Sequence, residues 1–329
     1  MTIPSAMAVP PYKPGYRRFK WRDSGRNRPV WGDVWFPSND VSKEIAISWG
    51  LGEGKIVRDA TLASVGAPFP LVVMSPGASG SAPSYSWLAE YLARHGVIVL
   101  GVSHYGESWL YGAETVEPGA VMRLWVRPAD CSFALTQLLT CDELRACVDP
   151  TRIGALGHSS GGATALALGG ATLDYAALSE YCRSEDGESD RGCLYARTLD
   201  MPPEPMTSPG VYRDTRVTAI VALDPAAGPG HDAASLANVR MPVLIVGSED
   251  NDFLPFTRHA GHYAALLPNA ALVTLRNGEG HFVYLNSCTS DLSANGVPLC
   301  RDRQGVDREA VHADLAARIL AFFLAVMWQ

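Results

Sequence analysis

Ile153-Gly154-Ala155-Leu156-Gly157-His158-Ser159-Ser160-Gly161-Gly162 is the stretch whose reading decides the fold. A short apolar run ends in G-x-S-x-G, and an alanine- and glycine-rich segment follows, so the pattern predicts a strand, a sharp turn and a helix with Ser159 at the apex. A serine hydroxyl is a weak nucleophile. It becomes useful on a strained turn where a base can reach it and helix N-terminal N–H groups can hold an oxyanion. Gly157 and Gly161 belong to this reading because a side chain at either would collide with the neighbouring turn.

Outward from that turn, strands alternate with helices. Upstream, residues 15–37 read as an antiparallel hairpin turning at Asp23-Ser24-Gly25, and residues up to about 68 read as polar and irregular. Leu71-Val72-Val73-Met74 is a buried strand running into Ser75-Pro76-Gly77-Ala78-Ser79-Gly80, a small-residue loop suited to bring a backbone N–H to an oxyanion. Residues 85–95 have helical spacing and residues 97–102 form the next strand, with His104 and Tyr105 just past its end as substrate-pocket candidates and a packed structural role as the alternative for His104. Residues 128–139 read as a helix. Downstream of Ser159, residues 173–216 are acidic, proline-rich and without periodicity, and are expected to form a lid or substrate-facing insertion. Strands over 217–223, 242–246 and 271–275, a helix over 257–267 and a C-terminal helix over 308–327 complete the order. This alternation predicts one α/β domain over residues 1–329, with a mostly parallel central sheet covered on both faces and ligands at the carboxyl ends of the strands.

Composition narrows the partners. The 329 residues are 47% hydrophobic and carry a formal net charge of -7, which disfavours nucleic acid, since neutralising phosphates requires clustered Lys and Arg. The basic and aromatic residues from Arg17 to Arg28 are accounted for as the hairpin. No run reaches the ~18 apolar residues of a membrane span, and Met1 to Pro14 lacks signal-peptide character. Seven cysteines include three pairs close in sequence, Cys141 with Cys147, Cys182 with Cys193 and Cys288 with Cys300, leaving Cys131 over. Three local disulfides would favour a periplasmic or secreted protein, and seven free thiols a cytosolic one. Closing the Cys288–Cys300 loop is worth roughly 3 kcal/mol in the chain-entropy model. No C-x-x-C or other metal-ligand spacing occurs, so neither a metal nor another cofactor is expected.

A serine nucleophile needs a base, and the base needs an acid to hold its tautomer; the order Ser, Asp or Glu, His belongs to the α/β-hydrolase arrangement. Of eight histidines, only His281 follows the last strand in a Gly-rich loop. His158 adjoins the serine but points elsewhere on the turn, His95 and His312 are helix-surface candidates, His231 lies in a polar loop, and His259 and His262 lie on a helix. Three acids precede His281 at strand ends, Asp224, Asp250 and Asp252. Asp-Asn-Asp over 250–252 lacks the Gly and Glu that complete a calcium loop.

The chain resembles the α/β-hydrolase superfamily, in particular the bacterial proteins labelled predicted dienelactone hydrolases, the platelet-activating-factor acetylhydrolases and the cutinase-like polyester hydrolases. The likeness rests on Arg26-x-Arg28 through Trp35-Phe36-Pro37, Ser75-Pro76-Gly77-Ala78, His104-x-Gly106, Arg127-Pro128-x-Asp130, Gly157 to Gly161, Ala222-Leu223-Asp224-Pro225 and Gly280-His281-Phe282 with Cys288 and Cys300 behind it. The resemblance implies Ser159 as nucleophile, His281 as base, and the N–H groups of Ala78 and Ser160 as oxyanion donors. Many relatives have His-Gly where this chain has Pro76-Gly77. Acetylhydrolases carry the acid at the position of Asp224, whereas cutinase-like relatives carry it after the next strand, where the loop 249–252 here departs from the usual spacing before Pro255. Asp224 is therefore the expected acid, with Asp252 and Asp250 as alternatives. True dienelactone hydrolases use a cysteine nucleophile, so that label does not carry over as an activity. The expected function is a serine carboxylic-ester hydrolase acting on a small-molecule or polymeric ester; the alternatives are a ligand-binding protein on the same scaffold or, within enzymes, a polyester or phospholipid-acetyl hydrolase.

Overall fold

The computed structural model describes residues 11–198 and 212–327. Apolar runs, buried on both faces in the central strands, build one eight-stranded sheet. Its strands are β1 (Lys13–Asp23), β2 (Arg28–Ser38), β5 (Phe69–Ser75), β6 (Ile98–Ser103), β7 (Val148–His158), β8 (Val217–Leu223), β9 (Val243–Ser248) and β10 (Ala270–Leu275). The short hairpin of β3 (Ile45–Ser48) and β4 (Glu53–Ile56) stands apart. The sheet order is β1-β2-β6-β5-β7-β8-β9-β10; β1 pairs antiparallel with β2 and β2 with β6, and every later pairing is parallel. This is the α/β-hydrolase fold expected from the alternation of elements.

The pleat sorts side chains onto two faces. On β5, Leu71 and Val73 point into one core, where α2 (Val126–Thr140), α3 (Ser160–Gly169) and α7 (Ala260–Leu266) supply Leu135, Leu166 and Tyr263. Val72 and Met74 point into the other, where α1 (Ser86–Arg94) and α8 (Arg308–Met327) supply Leu88, Leu92, Leu315, Ile319 and Phe323. The helix α8 is long and apolar enough to cross a membrane by length and composition, yet its apolar stripe is packed on the sheet. Gly154 permits that close packing, since a Cβ there would meet the Phe323 ring at 2.6 Å. His312, expected on the helix surface, is buried and stacks on Trp87 at 3.9 Å, with Nε2 bonded to the Val283 carbonyl.

Three further expectations need correction. The insertion 173–216 is not irregular throughout: α4 (Tyr175–Arg183) starts at Asp174, whose carboxylate accepts from the N–H groups of Ala176 and Ala177, and α5 (Cys193–Thr198) follows a 3-10 turn. Residues 199–211 of the insertion lie outside the described residues. Cys182–Cys193 and Cys288–Cys300 are disulfides, but Cys141 and Cys147 are free, as is buried Cys131. Cys141 caps the end of α2 and packs against the apolar core. Residues 45–56 hold the hairpin β3–β4, whose four-residue strands are too short to stand out as a period in sequence. The remaining elements include α6 (Ala233–Leu236) and the two-residue strands β11 (Ser293–Ala294) and β12 (Val297–Pro298), which lie within the Cys288–Cys300 loop.

Candidate active site

Ser159 sits between β7 and α3 with φ 56°, a conformation unfavourable for a residue with a Cβ. Its surroundings over-determine it: the Ser159 N–H donates to the Leu223 carbonyl, and the Ser159 carbonyl accepts from the N–H groups of Gly162, Ala163 and Ala226. The glycines are required as the sequence suggested. A Cβ at Gly157 would lie 2.0 Å from the Gly161 carbonyl oxygen, and one at Gly161 would lie 2.0 Å from that of Ser75.

His281 begins a 3-10 turn (His281–Tyr284) after β10 and is 1% exposed. Its ring lies between Phe253, near-parallel at 5.0 Å, and His158 at 4.5 Å. Nδ1 is 3.6 Å from Asp224 Oδ2 and 3.5 Å from Asn251 Nδ2, while Nε2 is buried without a hydrogen-bond partner. Burial holds the imidazole neutral, with its pKa lowered to about 3. Burial acts oppositely on Asp224, raising its carboxyl to about 7 against the Ser248 N–H (2.9 Å) and the Asn251 amide (2.8 Å) that both donate to it.

The three acids separate by position. Asp224 faces the imidazole. Asp252 instead accepts the backbone N–H of His281 at 2.9 Å and lies 3.7 Å from Arg303, and Asp250 is exposed. Asn251, missed in the sequence reading, touches both Asp224 and His281; no local pattern marks it because these partners are 27 and 30 positions away.

His158 does turn away from the serine. Its Nε2 bonds the His281 carbonyl at 3.0 Å and its Nδ1 bonds Tyr85 Oη at 2.9 Å, while Tyr85 Oη also accepts the Gly77 N–H at 3.0 Å. Because a carbonyl only accepts, Nε2 carries the proton and Tyr85 donates to Nδ1. This chain of bonds joins the loop after β5 to the backbone of His281.

Ser159, Ser160, Ala78 and His281 all border one cavity of about 480 Å³. Its outer walls come from α4, α5 and the Cys182–Cys193 disulfide on one side and from the Cys288–Cys300 loop on the other. The two loops are tied together: Arg191 Nη1 donates to the Asn295 carbonyl, and the Asn295 amide donates to the Arg191 carbonyl. No Lys or Arg borders the cavity among the described residues, and its one carboxylate, Asp190, is bonded to His259 at 2.7 Å.

His104 and Tyr105 are not part of this cavity, against their place as substrate-pocket candidates, and buried His104 takes its alternative, packed position. His104 is drawn behind the loop after β5, where Nδ1 donates to Asp130 at 3.0 Å and Nε2 accepts from the Ser75 hydroxyl at 2.9 Å. Asp130 is anchored from outside by Arg26 and Arg28, and Tyr105 packs against Arg28 and Tyr111. Among the described residues, no group of three or more His, Cys, Asp or Glu is arranged to hold a metal ion.

No family model matches the chain. It is similar to platelet-activating factor acetylhydrolase of Cavia porcellus, 29% identical over 140 residues, which cover 31% of this chain and 32% of that protein. It is similar also to platelet-activating factor acetylhydrolase of Canis lupus familiaris, 26% identical over 187 residues, covering 40% and 42% respectively. The matched region thus spans 32% and 42% of these relatives' own length. Among solved structures, a ferulic acid esterase from Streptomyces cinnamoneus superposes with a TM-score of 0.63 over 99% of this chain and 92% of that one, at 22% identity, a likeness of fold.

Proposed function

We propose that this chain is a serine carboxylic-ester hydrolase working through an acyl-enzyme. The observation that carries the reading is the meeting, at one apolar cavity, of a serine held in a strained turn and a buried neutral imidazole whose Nε2 has no partner. The partial likeness to acetylhydrolases supports ester chemistry. In this mechanism Ser159 Oγ attacks the ester carbonyl while His281 Nε2 takes its proton, and the Ala78 and Ser160 N–H groups hold the oxyanion. Asp224 holds Nδ1–H and stabilises the imidazolium. The proton then passes to the leaving alcohol, and a water, deprotonated by His281, releases the acid and restores the hydroxyl. Every group comes from the chain itself. The apolar cavity, bordered by no Lys or Arg among the described residues, favours an ester uncharged near its carbonyl, whether a small molecule or a segment of a polymer. The two disulfides support residence in an oxidising compartment.

The test is turnover of p-nitrophenyl acetate and butyrate together with labelling by a fluorophosphonate probe located by mass spectrometry. Wild-type protein is expected to turn over and to label at Ser159, and Ser159→Ala to lose both. Full turnover by Ser159→Ala excludes this serine, and a protein that binds ester analogues but neither turns over nor labels is a binding protein on this scaffold. A panel of esters graded in acyl length, with polymer films, then ranks substrates.

A further inference from the structure

The proposed oxyanion hole depends on a loop, residues 76–80, that would need its Ala78 N–H free and aimed at the cavity. A guanidinium-centred cluster behind the loop accounts for that. Arg127, in the first turn of α2, is 1% exposed and does not border the cavity. Its Nη1 donates to the Pro76 carbonyl at 2.9 Å and its Nη2 to the Gly77 carbonyl at 3.2 Å. Its Nε donates to Glu107 Oε1 at 2.9 Å, and Nη2 also pairs with Glu107 Oε2. Glu107 Oε2 in turn accepts the Ser79 N–H at 3.2 Å.

The remaining amides of the loop are accounted for as well. Gly77 N–H donates to Tyr85 Oη and Gly80 N–H to the Gly77 carbonyl. Of four consecutive N–H groups, three are therefore engaged, and the Ala78 N–H has no partner among the described residues. The Gly77 carbonyl and the Ala78 N–H belong to one planar trans peptide and point in opposite directions. Drawing the Gly77 oxygen back toward Arg127 therefore turns the Ala78 N–H away from Arg127, and Ala78 itself borders the cavity beside Ser159.

We infer that the buried Arg127–Glu107 pair is a positioning device that sets the Ala78 peptide for oxyanion binding, a role that rests on the esterase reading above. The device needs a planar fork: one guanidinium meets two carbonyls and a carboxylate at once, which a lysine ammonium cannot reproduce.

Arg127→Lys and Glu107→Gln test this, with folding checked by near-UV circular dichroism and thermal melting. For each, kcat and KM on p-nitrophenyl butyrate are measured beside the affinities of a phenylboronic acid, which forms a tetrahedral adduct on Ser159, and of the uncleaved butyramide. Arg127→Lys is expected to lose about 10²-fold in kcat, the scale of one oxyanion donor, with KM within about threefold. Boronate affinity should fall in parallel while butyramide affinity holds. Glu107→Gln, which keeps an acceptor for the Ser79 N–H, should lose less but in the same pattern. A folded Arg127→Lys with wild-type kcat overturns the inference, as does equal loss of boronate and butyramide affinity. Should Arg127→Lys not fold, Glu107→Gln decides alone, and unchanged kcat in it overturns the role. If wild-type protein neither turns over nor labels at Ser159, the esterase reading fails and takes this inference with it; an active wild type with indifferent variants overturns the positioning role only.

Discussion

Replacing Asp224 with Asn should remove activity and change stability with a sign that depends on pH. The carboxyl is 2% exposed, and its pKa of about 7 in the folded chain compares with an ordinary value of 3.8. At about 1.4 kcal/mol per unit, the ionised side chain costs the fold on the order of 4 kcal/mol. Because the folded pKa is the higher one, this penalty is absent below about pH 4, builds as pH rises between the two values, and is complete above about 7. The Asp224→Asn variant would escape the penalty but carry a defect of its own. Its amide oxygen can serve only one of the two donors, the Ser248 N–H and the Asn251 amide, leaving its NH₂ against the other. Asn251 cannot relieve this by flipping, since its Oδ1 already accepts from Phe253 and Leu254. An unsatisfied buried donor costs about 1–3 kcal/mol. Asp224→Asn is therefore expected to melt below wild type at pH 4.5 and above it at pH 8, crossing near about pH 5–6 on these magnitudes. Calorimetry at several pH values reads the crossing, where about 1–2 °C corresponds to each kcal/mol in a chain of this size. In the same preparations kcat should fall on the order of 10⁴-fold, because the imidazole loses the carboxylate that holds its tautomer. Asp252→Asn, which alters a bond to the His281 backbone rather than to its ring, should stay within about tenfold of wild type, less than a misplaced catalytic group costs. A melting difference that does not change with pH refutes the burial argument. A larger loss of kcat in Asp252→Asn than in Asp224→Asn moves the acid role to Asp252.

The pH profile of kcat/KM should show its acid limb near pH 7, since the Asp224 carboxylate is protonated below that and the His281 imidazole stays neutral down to about 3; a plateau reaching pH 5 would contradict this. Gly161→Ala places a Cβ 2.0 Å from the Ser75 oxygen and 2.6 Å from that of Pro76, both backbone atoms that cannot swing aside. Separating the loop after β5 from the start of α3 should lower kcat/KM by about 10²-fold, the cost of roughly 1 Å of misplacement, while Gly119→Ala, with nothing within 4 Å, leaves kinetics and melting unchanged. Removing the Cys182–Cys193 bridge in a double alanine variant should cost about 3 kcal/mol in the chain-entropy model, read by denaturant unfolding, and raise KM with little change in kcat. That split is expected because the bridge walls the cavity while Ser159 and His281 lie on turns that follow β7 and β10; a selective loss of kcat would contradict it.

The short-range signals carried the scaffold. Val217–Leu223 and Arg308–Met327 were bounded correctly because apolar period and flanking turn residues are properties of neighbouring positions. The turn at Ser159 was legible for the same reason: Gly157 and Gly161 each lack a Cβ where one would strike backbone a few residues away or on the next strand. Capping by Asp174 and the short strands of residues 45–56 left weaker local traces, so the order within the insertion and the hairpin β3–β4 went unread.

From the sequence alone came the strand–helix order, the strained serine, the one histidine in a Gly-rich loop after the last strand of the alternation, and three acids that local pattern could not rank. The fold separates them by position, because Asp224, Asn251 and His281 meet where β8, β9 and β10 end side by side. Folding also sent His104 behind the loop after β5, left Cys141 and Cys147 apart, and gathered Arg127, Glu107 and Tyr85 around residues 76–80. Periodicity records which face of an element is buried; what a buried polar group must bond to is set by chains that approach from far along the sequence, and only the assembled fold brings them within hydrogen-bonding distance.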